Sequence, residues 1–130
     1  VSKSLGISFH IRYNDDIKEF LFLEDKIMAL ELTSSNFKNE VLDCNIPVIV
    51  DFWAPWCRPC QMLGPTIEEL HHELAGRVKV GKVNVDNTED IAMRYGISTI
   101  PTIMLFKGGV PVKKVVGLMR KEDLLRNLGL

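Results

Sequence analysis

The chain has 130 residues, 46% of them hydrophobic and 25% charged, enough to bury one sizeable core and therefore to form one compact domain. A formal net charge of -1, with no Lys/Arg run, lacks the positive field that binding a phosphate backbone requires, which argues against a nucleic-acid ligand. Three cysteines are too few and too clustered for a secreted disulfide framework.

The first segment, Val1 to Ile27, has no clear period beyond a mixed run from Ile17 to Leu23. Its longest apolar stretch, Phe20 to Leu23, is far short of a signal-peptide core or a membrane span. The acids Asp15, Asp16, Glu19, Glu24 and Asp25 also argue against a transit peptide, so a cytoplasmic protein without membrane association is expected. The segment reads as an N-terminal extension to a domain spanning residues 28 to 130. Met28 as the natural start of translation, a regulatory arm, and the tail of a fused partner are the three readings of it.

From Met28 the pattern becomes regular. Ala29 to Leu32 predicts a short strand, and Thr33 caps a helix with Phe37 and Val41 on one face. Ile46 to Trp53 is a nearly unbroken apolar run rich in β-branched and aromatic residues, which predicts a strand covered on both faces at the centre of the sheet. A helix begins near Cys57 and carries Leu63, Ile67, Leu70 and Leu74 on one stripe, opposite Gln61, Glu68, Glu69 and Glu73, with Gly76 in the C′ position. Val78 to Val85 predicts a strand, Asn87 or Thr88 caps a short helix holding Ile91, Ala92 and Tyr95, and this is expected to be a second parallel crossover. Thr102 to Phe106 and Val112 to Val116 predict a hairpin about Gly108-Gly109, followed by a helix from about Lys121. The order implies an α/β domain: a central mixed β-sheet flanked by helices, parallel at the crossovers and antiparallel at the closing hairpin.

The sequence WCRPC, Trp56 to Cys60, falls where the central strand turns into the following helix. A zinc site needs four ligands. His71 and His72 lie about 16 Å further along the same helix at about 1.5 Å per residue, out of reach of a shared metal, and His10 lies in the extension. A static staple across two residues closes a very small loop and constrains little of the unfolded chain. Exchange chemistry fits better. Cys57 in the first turn meets unpaired backbone N–H groups and the positive helix end, which favour a thiolate. Cys60 lies three positions on and deeper, so the first thiol is the exposed nucleophile and the second resolves the mixed disulfide. Asp51 sits within the apolar strand, where burial raises a carboxyl pKa.

DFWAPWCRPC, KVNVD, GISTIPTIMLFK and VVGL resemble the thioredoxin family in order and spacing, over about Met28 to Leu130. The resemblance implies the thioredoxin fold and a protein-disulfide reductase working through a Cys57/Cys60 dithiol. It implies proton transfer between Asp51 and Cys60, the alternative for Asp51 being a salt bridge with Lys82, which would tune its charge. Substrate contact is implied for Trp56, Arg58, Pro59, Ile100, Pro101 and Gly117, with Ile100-Pro101 as a cis-proline loop, while Trp53 is expected to be the buried tryptophan. No metal and no organic cofactor are implied. The implied partners are disulfide-containing proteins and a thioredoxin reductase, NADPH- or ferredoxin-linked. Oxidase or isomerase use of the same site, and a non-catalytic binding subunit, are the rival functions.

Four positions stand apart. Arg58 replaces the family's usual glycine and adds a charge beside the nucleophile. Gly64 precedes Pro65, which leaves the Gln61 carbonyl without its usual partner and predicts a kink. Arg120 stands where a serine often caps the last helix. Cys44 reads as a half-buried small hydrophobe with no cation nearby to activate it.

Overall fold

The computed structural model describes residues 28 to 130; the Ile17 to Leu23 run and His10 lie outside them. The elements in chain order are β1 (Leu30–Leu32), α1 (Lys38–Leu42), β2 (Val48–Trp53), α2 (Arg58–Glu73), β3 (Lys79–Asn84), α3 (Glu89–Arg94), β4 (Thr102–Lys107), β5 (Val110–Val116) and α4 (Lys121–Leu128). The strands form one sheet in the order β1-β3-β2-β4-β5. β2 is its centre, as its apolar run predicts.

Side-chain alternation along β2 assigns each face a helix pair. Ile49 packs with Leu63, Ile67 and Leu70 of α2 and with Leu124 and Leu128 of α4. Val48, Val50 and Phe52 face the opposite way, into a cluster with Phe37, Val41 and Ile91. Asp51 therefore projects to the α2 and α4 face.

Thr33 closes the turn before α1 rather than capping the helix, whose N-cap is Phe37 without a side-chain bond: the Asn36 amide donates to Thr33 Oγ1 at 3.3 Å, and the Thr33 amide donates to Asn36 Oδ1 at 2.7 Å. α1 itself ends in a wider turn, the Asp43 amide donating to Lys38 O five residues back. α2 ends one residue before its C-cap, Leu74, so Gly76, at φ 86°, stands one position beyond the C′ site that its sequence suggested. The helix runs unbroken through Pro65. Arg120 is indeed the N-cap of α4 and makes no capping bond, its guanidinium turning instead to Asp123.

β1 and β2 both run parallel to β3, but β4 runs antiparallel to β2, so the expected second parallel crossover does not form. The connection packs Ile91 of α3 against the cluster of Phe37 and Val41, and the chain re-enters the sheet at the end it left. This brings the start of β4 beside the end of β2, with Thr102 opposite Phe52. The β4–β5 turn forms as predicted, and Gly109 has a second reason for its identity. At φ 80° a Cβ there would stand 2.6 Å from the carbonyl oxygen of Leu42, so the turn packs directly on the end of α1.

Candidate active site

Cys57 has extended backbone angles, φ -91° and ψ 110°, and is the N-cap of α2. It holds the position that a serine or aspartate commonly fills, and its sulfur does the same work: Cys57 Sγ accepts the Cys60 N–H at 3.2 Å. Pro59 fits the first turn because it brings no N–H to be satisfied there. The chain is tied into this geometry by Cys57 N–H donating to Ala54 O, Gln61 N–H to Cys57 O, and the Gln61 side-chain amide to Pro55 O.

The two sulfurs are bonded as a disulfide. Exposure does not separate the cysteines as expected, Cys57 being 5% and Cys60 3% accessible. Both are enclosed with Ala54, against Trp53, Val85 and Ile100. What distinguishes them is the amide donated to Cys57. The peptide between Ile100 and Pro101 is cis, and Ile100 O lies 3.9 Å from Cys57 Sγ. Pro101 O accepts the Gly117 N–H at 2.9 Å. Gly117 has φ 105°, and no atom lies within 4 Å of where its Cβ would be, so the backbone there is bare.

Trp56 is 69% exposed and its indole N–H donates to Asp86 Oδ2 at 3.0 Å, which fixes the ring against the loop after β3. Trp53 is half-buried rather than buried, and Lys82 Nζ sits 4.6 Å from its ring centroid. Arg58 and Pro59 are exposed.

Asp51 is fully buried, and neither carboxyl oxygen has a hydrogen-bond partner. Burial pushes its pKa up to about 7, with Lys82 pulling down and Glu68 pushing up. The direct Asp51–Lys82 bond held open as an alternative is not made. Lys82 Nζ lies instead 4.0 Å from Glu68 Oε2.

Cys44 is half-buried as expected, but a cation does stand beside it. The Lys79 ammonium contacts Cys44 and pairs with Glu40 at 2.7 Å. Burial works against that charge, but Glu40 and Cys44 together outweigh it, leaving the Lys79 pKa raised. The pairing of β2 and β3 explains the contact, since it sets Lys79 opposite Val48 at the end of the loop that carries Cys44. His71 and His72 are consecutive residues in the last turns of α2. Among the described residues no group of three or more His, Cys, Asp or Glu side chains is placed to hold a metal ion. No helix among them is long and apolar enough to cross a membrane.

Two residues at the site had no role in the sequence reading. Asp86 was only a letter of KVNVD, and its bond to Trp56 joins positions 30 residues apart. Glu68 was placed on the polar face of α2, yet it directly follows Ile67 of the buried stripe and its side chain is only 31% exposed. Its angular position, one residue from the stripe, was the available signal.

A disulfide capped by a helix amide, at the end of a central strand that carries a buried carboxyl, has the chemistry of a protein that exchanges its own disulfide for those of others. Comparison with known proteins makes the assignment specific. Residues 28–129 match the thioredoxin family model. The chain is 50% identical over 100 residues to thioredoxin 1 of Nostoc sp., covering 77% of this chain and 94% of that one. It is 53% identical over 98 residues to the thioredoxin of Rickettsia felis, covering 75% and 93%, and 48% identical over 101 residues to thioredoxin 1 of Synechococcus elongatus, covering 78% and 94%. The chain belongs to the thioredoxin family, and its activity is protein-disulfide reduction by thiol–disulfide exchange.

Proposed function

We propose that the reduced dithiol works in a fixed order. Cys57 attacks as a thiolate, bonding to one sulfur of a substrate disulfide, and the other substrate sulfur leaves as a thiolate that takes a proton from solvent. Cys60 then gives up its proton and attacks Cys57 Sγ. The Cys57–Cys60 disulfide forms, the mixed disulfide breaks, and the second substrate thiolate departs. Two electrons have passed to the substrate. The observation that carries this order is the Cys60 amide donated to Cys57 Sγ, which stabilises negative charge on that sulfur.

Asp51 receives the Cys60 proton in this scheme. A carboxyl held near neutrality is matched to that task, and Lys82 tunes it. Trp56, Arg58, Pro59, Ile100, Pro101 and Gly117 form the substrate-binding region, in which Pro101 is buried while Trp56, Arg58 and Pro59 are exposed; the exposed indole and the bare backbone at Gly117 support this reading. Residues 28 to 130 are the working unit. A cytoplasmic thioredoxin reductase, NADPH- or ferredoxin-linked, restores the dithiol. Alkylation of the reduced protein at neutral pH, followed by mass mapping, tests the order. Cys57 is modified first while Cys60 and Cys44 lag; faster modification of Cys60 overturns the assignment.

Arg58 adds a tuning charge. It is the first residue of α2, exposed, with no ion pair among the described residues. Its guanidinium favours the Cys57 thiolate, which stabilises the reduced form and makes the couple more oxidising. Solvent limits the effect to roughly 1 kcal/mol, and about 1.4 kcal/mol corresponds to about 30 mV for two electrons. Arg58→Gly therefore raises the Cys57 pKa and moves the potential by a few tens of millivolts at most, about 30 mV more negative, with the difference shrinking in high salt. An unchanged pKa and potential leave Arg58 as a partner contact only.

A further inference from the structure

Lys82 has two carboxylates within its reach and uses one of them. Asp51 and Lys82 are register partners on adjacent parallel strands, about 4.8 Å apart, and alternation turns both toward α2. A lysine side chain from that position can reach Asp51. Its ammonium lies instead between Glu68 Oε2, at 4.0 Å, and the Trp53 ring, at 4.6 Å. Glu68 is itself held. The Ala29 amide, at the start of β1, donates to its other oxygen, Oε1, at 2.7 Å. One carboxylate oxygen is tied to the backbone, and the second faces the cation.

We propose that Glu68 is a positioning residue for the proton chemistry of Asp51: anchored by the Ala29 amide, it holds the Lys82 ammonium on the α2 side, so that Asp51 is left without a bonded cation. Lys82 and Glu68 keep 23% and 31% of their side chains exposed, so the pair meets without the full desolvation that an ammonium would suffer beside Asp51. The buried carboxyl then keeps its proton to near neutrality and can exchange it within the working range. This rests on the reading of Asp51 as the proton acceptor for Cys60.

The other groups around Asp51 do not compete for the role. β4 sets Ile103 opposite it, and the charges that act on it are those of Lys82 and Glu68. Of the charges of α4, Asp123 pairs with Arg120 and Arg126, and Lys121 with Glu69 and Glu73.

A double-mutant cycle separates positioning from simple charge. Glu68→Gln keeps an oxygen for the Ala29 amide, so β1 stays attached, and removes the charge that holds Lys82. The Asp51 carboxyl is followed by carbon NMR titration in the wild type, E68Q, K82M and the double variant, with melting temperatures confirming the fold. In E68Q the ammonium is free to swing to Asp51, and the fraction of Asp51 ionised at pH 6 rises about threefold. In the K82M background the same substitution changes it by less than half as much. An equal change in both backgrounds overturns the proposal, because Glu68 would then act as an independent charge. No change in E68Q overturns it as well. Failure of the underlying reading appears elsewhere, as unchanged turnover in Asp51→Asn.

Discussion

Cys60→Ser abolishes turnover while trapping substrate: incubated with a disulfide-containing protein, the variant accumulates an adduct bonded through Cys57. The first attack needs only the Cys57 thiolate, and its stabilising donor is the backbone amide of residue 60, which the substitution keeps. The second attack is lost, because serine supplies no sulfur to displace the substrate. Resolution then depends on thiols from solution. A neighbouring group held three residues away on the same helix turn acts at an effective concentration that free thiols do not approach, so reduction in their absence falls by at least about 10³-fold. Cys57→Ser loses activity as completely and forms no adduct. Non-reducing electrophoresis with mass mapping reads both variants. An adduct in Cys57→Ser with none in Cys60→Ser reverses the two roles.

Asp51→Asn stabilises the oxidised protein at alkaline pH, and the gain disappears in acid. The native Asp51 carboxyl titrates at about 7, against 3.8 for the ordinary group, which stands for the unfolded chain. The native state thus holds the proton more tightly. The favourable contribution of the protonated carboxyl is complete below about pH 4 and is lost as pH rises through 7. Each tenfold change in proton affinity is worth about 1.4 kcal/mol. Ionising Asp51 therefore weakens the wild type by up to about 4 kcal/mol above pH 8, a penalty that asparagine never incurs. Urea unfolding of both proteins at pH 4 and pH 8 measures the difference. A gap that does not grow with pH means that Asp51 is ionised throughout, with a partner that stabilises its charge.

The elements of this fold were legible because their signals are local. The β-branched run of β2, the leucine stripe of α2 and the turn at Gly108-Gly109 each need only neighbouring residues to specify them. The turn at Thr33 was visible too, since both halves of its reciprocal bond with Asn36 lie within four residues, though the helix itself starts after Phe37. The Cys57/Cys60 pair belongs here too, because a spacing of three on a helix start already implies that one residue caps and the other follows it on the same side.

The direction of β4 was not legible in the same way. A strand–helix–strand pattern suggests a parallel return, and only the way the connection packs decides otherwise. That reversal brings Ile100 and Pro101 to Cys57, 43 residues away in sequence. The tertiary structure alone also decided the company of each charge. Lys82 and Asp51 are 31 positions apart, and pairing between them was a fair expectation from the residues. The ammonium turned to Glu68 and Trp53, leaving Asp51 buried without a partner. What the sequence determined by itself was the set of elements and the reacting pair, because hydrophobic period and helix-start chemistry act over a few residues. Strand direction and the pairing of buried charges depend on how distant segments pack and on the cost of desolvation, which are decided only once the chain has packed.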